Sequence, residues 1–263
     1  MVAEVTAMQV KELRDLTGAG MMDAKRALQE SNGDFEEAAE FLKLKGLAKA
    51  AERASREATQ GAIALATNGS SAAMAQLNAE TDFSAKADDF LEVCQAIADA
   101  VLADGEAATE SFSGQIDSLK ISKKESISIG RVVKCEATDD QIIDTYLHKQ
   151  DGRGVIGVIV KGSGVSPEDL HQVSLHVAFA RPAYLSREQV DPDLVEKERA
   201  KALERTKEEG KPEVAWDKIV EGRLSGWFKE MVLMEQGLHG EKTSVAQSIG
   251  NGSIVAFEMF AIR

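Results

Sequence analysis

The chain carries four histidines and two cysteines, and none of them falls into a spacing that makes a catalytic or metal-binding set. His171 and His176 stand five residues apart on one predicted helix and so point in different directions. A metal-binding helix needs its pair four apart, on one face. His239 lies in a Gly-rich stretch with no evident partner, and a surface or capping role is expected for all three. No Gly-x-x-x-x-Gly-Lys-Ser/Thr loop and no Gly-x-Ser-x-Gly elbow occurs, so the chain is expected to bind no nucleotide itself and to perform no covalent chemistry. No cofactor and no metal is expected.

What remains is recognition chemistry, concentrated in two short runs. The first, LRDLTGAGMMDAKRAL, spans Leu13 to Leu28. Gly18-Ala19-Gly20 frees the backbone for a tight or left-handed turn between two helices. Polar residues would be expected at such a turn, yet Met21 and Met22 follow at once. Thioethers adapt to irregular apolar surfaces and recur at binding faces. Both methionines turning inward as core filler is the bland alternative, but adjacent residues seldom share a helix face. The second run is Leu77-Asn78-Ala79-Glu80-Thr81-Asp82-Phe83, where a hairpin hands over to a long helix. Thr81 is a good N-cap and Asp82 suits the helix dipole. Phe83, taken alone, continues the Ala87–Phe90 stripe as a first-turn core anchor.

These runs need elements to position them. Thr6 and Gln9 have capping-box spacing for a first helix with Val10, Leu13 and Leu16 inward. A second helix from about Asp23 buries Ala24, Ala27 and Leu28, and Ser31-Asn32-Gly33 ends it. Asp34 caps a third, with Glu37 three residues on and Ala38, Phe41 and Leu42 inward. Three helices in about 45 residues make a marginal core, so this module should lean on something else. Lys43, Lys45, Lys49, Arg53 and Arg56 mark an alanine-rich linker helix with a solvated face. Beyond it the pattern turns mixed. Strands are expected over 61–67 and 72–78 around an Asn68-Gly69 turn, then a long helix with Ala87, Phe90, Cys94, Ile97 and Val101 on one stripe. A loop over 105–114 and a strand over 126–135 follow. The order recurs in strands at 142–148 and 155–161, a helix opened by Ser166-Pro167 with Leu170, Val173 and Val177 on one face, and a last strand over 253–263. Between them Asp191-Pro192 begins a charged helix to Glu209, Gly210-Lys211-Pro212 breaks it, and a second helix carries Trp216, Ile219, Val220, Leu224 and Trp227. This is an antiparallel helical hairpin, expected to project.

Composition agrees. With 43% hydrophobic and 29% charged residues the chain reads as soluble and globular. No apolar run approaches membrane-spanning length and no signal-peptide pattern opens the chain, so no membrane association is expected. The two cysteines stand far apart, which favours a reducing cytoplasm. A net charge of −13 argues against direct nucleic-acid binding.

Taken together, LRDLTGAGMMDAKRAL at 13–28 and LNAETDFSAK at 77–86 resemble the elongation factor Ts family, the bacterial-type guanine-nucleotide exchange factors for elongation factor Tu. Tyr146-Leu147-His148 and Leu175-His176-Val177-Ala178 fit as well, and the resemblance covers nearly the whole chain. It implies an α+β fold: a three-helix ubiquitin-associated-like module with linker at 1–56, a core N-subdomain at 57–140, and a core C-subdomain at 141–263 with the hairpin inserted at about 191–232. It implies elongation factor Tu as partner, with Arg14, Met21 and Met22 docking on its nucleotide-binding domain. The stretch Thr81, Asp82, Phe83, Ser84, Ala85 and Lys86 would intrude beside its magnesium and nucleotide site, and His148 would support that contact. Two departures stand out: Ser84 where the family often has valine, and Lys123-Lys124 where it has Ile-Gly. The rival class is a non-catalytic adaptor that recognises a protein partner through the helical module.

Overall fold

In the computed structural model, which describes residues 5–262, Thr6 opens the first helix with both halves of the expected capping box. Its hydroxyl accepts from the Gln9 amide at 3.2 Å, and the Gln9 side-chain oxygen accepts from the Thr6 amide at 3.0 Å. Two orphan donors of the helix end are thereby satisfied. Helix α1 (Ala7–Thr17) stops at Gly18, whose φ of +66° is the left-handed region glycine enters without penalty. Helix α2 (Met21–Glu30) begins two residues before the expected Asp23, because Gly20 is extended and serves as its N-cap. Left-handed Asn32 and Gly33 end it, and Asp34 caps α3 (Phe35–Arg53) through the Glu37 amide. Val10, Leu13, Ala24, Ala27, Leu28, Ala38 and Leu42 make the small core. Leu16 and Phe41, expected in it, are 67% and 43% exposed. Thr17, seven residues after Val10, takes the inward position that Leu16 misses, with its hydroxyl on the Leu13 carbonyl.

The linker helix is the far end of α3, which runs unbroken to Arg53. It leans on the first half of the core, as so thin a module requires. Gly46 lies so close to Ile121 that an added Cβ would stand 3.0 Å from that side chain, and the Arg53 guanidinium donates to the Lys120 carbonyl.

Strands β1 (Gln60–Thr67) and β2 (Ser71–Ala79) form the expected hairpin, and β3 (Ser128–Glu136) extends the antiparallel sheet in the order β1-β2-β3. The single long helix expected after the hairpin is two helices. α4 (Asp82–Ala85) is one turn, and α5 (Asp88–Asp104) starts afresh behind an extended Ala87. Residues 105–114, expected as loop, hold a 3-10 segment (Glu106–Phe112) that leads into α6 (Ser113–Lys123). Only Ile116 and Leu119 of α6 are buried, too sparse a stripe to read as a helix. Phe90, Cys94, Ile97 and Val101 of α5 pack on Ala62, Ala64, Ala73 and Ala75, where small strand residues let the helix approach closely. Burial pushes the Cys94 thiol up to about 12, so it stays protonated and unreactive.

The second half repeats the plan with β4 (Gln141–Gln150), β5 (Arg153–Ser163) and β6 (Ser253–Ala261) in the order β4-β5-β6, backed by α7 (Pro167–Ala180). Arg263, included in the expected last strand, lies outside the described residues. The inserted arm is α8 (Pro192–Glu208) against α9 (Trp216–Met231), and a short α10 (Val245–Ser248) precedes β6. Along the arm the apolar contact is thin, made by Ala202, Val220 and Leu224, while Val190, Phe228 and Val232 anchor its base. The two sheets meet through Ile63, Ala72, Met74, Ile159 and Phe260.

Two histidines depart from expectation. His176 is only 2% exposed: its Nε2 lies 3.0 Å from Gln236 Oε1, and its Nδ1 accepts the His239 amide at 3.1 Å. With both ring nitrogens partnered, the polar ring is buried without an orphan. His239 is not partnerless either, for its ring reaches Gln172 and stands edge-on to His176. His171 is the surface residue expected, paired with Asp144 at 3.1 Å.

Candidate partner interface

The junction between β2 and α4 determines what the second sequence run displays. Thr81 is the N-cap, its hydroxyl accepting the Ser84 amide at 3.3 Å. One turn of helix is too short to be stable alone, and the turn is held from below. Glu125, just after α6, accepts the amides of Glu80 and Thr81 and the hydroxyls of Thr81 and Ser84. Ser84 and Ala85 face inward and are buried. Phe83 is turned out and 84% exposed. It is therefore no first-turn core anchor: the break at Ala87 puts it on a different helix from the Phe90 stripe. An aromatic ring left in water on a braced turn is the kind of exposed apolar feature that recurs at interfaces.

Charge surrounds it. Lys86 reaches Asp82 at 2.7 Å and Asp151, in the β4–β5 turn, at 3.3 Å. The hydrogen bond from Lys86 holds the Asp82 carboxyl below its usual range, with Lys86 and Arg153 charge adding to the effect. The Asp82 and Asp151 contacts raise Lys86 in turn. Lys86 thus bridges the first subdomain to the second at the foot of β4. On that strand His148 is exposed, with its Nδ1 3.3 Å from the Tyr146 hydroxyl and the two rings stacked.

The first run forms a separate display. Met22 is 70% and Met21 48% exposed at the head of α2, so neither is core filler. Arg14, in the last turn of α1, is exposed beside Asp15. Gly18 and Gly20 border a cavity of about 260 Å³ that Ile121 and Lys124 also line. Residues at the end of α6 thus lie between the two displays. Sequence reading missed Glu125, which follows the C-cap of a helix that the hydrophobic pattern does not mark.

Comparison with known proteins identifies the family. The family model described as Elongation factor TS matches residues 80–263, which include Phe83, Glu125 and His148. The Elongation factor Ts of Paenarthrobacter aurescens (strain TC1) is 38% identical over 278 residues, covering 100% of this chain and 99% of the relative. That of Nocardioides sp. (strain ATCC BAA-499 / JS614) is 44% identical over 251 residues, covering 89% and 88%. That of Clavibacter michiganensis subsp. michiganensis (strain NCPPB 382) is 41% identical over 247 residues, covering 89% of each. With the model matching well over half of the chain and relatives aligned along most of both lengths, the chain belongs to the elongation factor Ts family.

Proposed function

We propose that the chain promotes GDP release from elongation factor Tu by pressing Phe83, flanked by Asp82 and Lys86, beside that partner's magnesium and nucleotide site, while Met21, Met22 and Arg14 dock on its nucleotide-binding domain. His148 supports the same contact from β4. The observation that carries this reading is the 84% exposure of Phe83 on a one-turn helix that Glu125 braces. Magnesium demands near-ideal octahedral geometry, so a small displacement of the groups around it weakens the site disproportionately. Docking energy spread over the module and the core can drive that displacement, and the factor then binds the nucleotide-free partner best. The chain performs no covalent step; it changes a rate of dissociation. We assign the docking role to residues 1–56 and the wedge to the N-subdomain at 57–140, with the C-subdomain at 141–263 completing the grip.

The test is to mix the full chain with elongation factor Tu loaded with a fluorescent GDP and follow release. Acceleration by the parent chain is expected, with Phe83→Ala losing maximal stimulation more than affinity for the nucleotide-free partner. Equal losses in both would make Phe83 a uniform docking contact and remove the wedge. A chain that binds without accelerating release would be an adaptor.

A further inference from the structure

A wedge works only if the backbone beneath it does not yield, and α4 supplies no rigidity of its own, being one turn long. Four of the bonds that brace it converge on one carboxylate. Glu125 Oε2 accepts the amides of Glu80 and Thr81, each at 3.1 Å. Its Oε1 accepts the hydroxyls of Thr81 at 2.6 Å and Ser84 at 2.7 Å. Glu80 answers from the opposite side, its Oε1 accepting the Ser126 amide at 2.6 Å. The β2–α4 junction and the segment after α6 are thus laced together in both directions, by bonds to ionised groups roughly twice as strong as neutral ones.

The same segment reaches the helical module. Lys124 is the C-cap of α6, immediately before Glu125. One turn back, the Lys120 carbonyl accepts from Arg53 and Ile121 packs on Gly46. A side chain added at Gly18 would meet the Ser122 backbone at 3.4 Å, and Gly18 is the turn that precedes Met21 and Met22. Residues 120–126 therefore touch the support of both displays.

We propose that Glu125 is the positioning residue for nucleotide exchange: it sets the direction of Phe83 and fixes the turn of α4 against the helix on which the methionine-bearing module rests. The assignment rests on the reading of Phe83 as the wedge. Glu125 touches neither nucleotide nor magnesium; it acts through the direction of a ring, so its loss should cost turnover rather than encounter.

The experiment uses the full chain and elongation factor Tu carrying fluorescent GDP. The parent chain, Glu125→Ala, Glu125→Gln, Phe83→Ala and the Glu125→Ala/Phe83→Ala pair are compared. Maximal release rate and half-saturating concentration are read separately. Glu125→Ala is expected to lower the maximal rate roughly 10- to 100-fold, the scale of a misplaced group, while moving the half-saturating concentration little. Glu125→Gln keeps an acceptor for the two amides and a group the hydroxyls can meet, so it should recover most of the rate. In the pair, removing Glu125 should cost far less than it does in the parent, because most of its effect passes through the direction of the Phe83 ring. Should Glu125→Ala not fold, Ser84→Ala deletes one of the four bonds and should lower the maximal rate roughly threefold. An unchanged maximal rate in Glu125→Ala, with Phe83→Ala impaired, overturns the positioning role and leaves the wedge standing. Full additivity in the pair overturns it too, making Glu125 a general support of the fold. Unimpaired exchange in Phe83→Ala removes the wedge reading beneath it.

Discussion

His176 is a neutral ring at the centre of a polar joint. Its two nitrogens face the Gln236 side chain and the His239 amide, and the His239 ring stands 5.7 Å away, centroid to centroid. Burial holds its pKa below the ordinary 6.5, outweighing the Gln236 hydrogen bond, which pulls the other way. The unfolded chain then takes up a proton before the folded one, so His176 contributes stability in full above about pH 6.5, and that contribution is lost as pH falls through the folded value. Urea unfolding at about pH 7.5 and about pH 5.5 should show a steeper acid loss for the parent than for His176→Gln. Equal losses would place the proton elsewhere. Little of this was legible beforehand, because the partners of His176 lie 60 and 63 residues away. Thr6, Asp34, Thr81 and Ser166 were legible as caps, since a cap is written within four residues of sequence. Glu125 falls on the other side of that line: its bonds to Thr81 and Ser84 span 44 and 41 residues. Phe83, taken alone, reads as a core anchor for a related reason, the helix break at Ala87 having no Gly or Pro to mark it.

Among the elements, α6 carries more than its two buried residues suggest. It ends in a left-handed C-cap at φ +59°, a conformation that suits glycine, yet the position is Lys124. The resemblance implies glycine at this position, and Lys124 carries a backbone cost that glycine would not. A left-handed residue with a side chain costs about 1–2 kcal/mol, and glycine's extra backbone freedom offsets about 0.5–1 kcal/mol of the gain from replacing it. Lys124→Gly is therefore expected to stabilise the chain by roughly 0.5–1 kcal/mol, read as a higher urea midpoint with an unchanged slope. A lower midpoint would mean that the Lys124 side chain makes contacts worth more than the strain. The elements with a regular hydrophobic period, α5, α7 and the two hairpins of strands, were readable in sequence. α6 was not, because it buries only two residues and spends its other faces on the module and on its own caps.

At the scale of the whole molecule, both displays belong to one framework. The two sheets meet through Ile63, Met74, Ile159 and Phe260, Arg153 donates to the Gly61 carbonyl across the joint, and Lys86 ties α4 to the β4–β5 turn. A framework that distorts a partner's nucleotide site must be distorted against in return, because coupling between two ligands is reciprocal. Couplings run about 1–3 kcal/mol, roughly 5- to 150-fold, and this chain should fall at or above the top of that range. Titrating GDP with Mg²⁺ into the preformed complex should drive it apart, and GDP without Mg²⁺ should do so less well. A dissociation constant that is the same with and without saturating Mg²⁺-GDP would exclude exchange.

The arm of α8 and α9 leaves the fold and returns to it at one point. Val190 packs with Phe228 and Val232, the amides of Ala183 and Tyr184 both donate to the Met231 carbonyl, and Tyr184 bridges Val232. With its two ends already side by side, the arm is topologically an appendix: the sheet and helices beneath close without it. Lengthening, trimming or relabelling it leaves the threading of β6 untouched. The tip at Gly210-Lys211-Pro212 is accordingly the natural place to graft a fluorophore or an affinity tag.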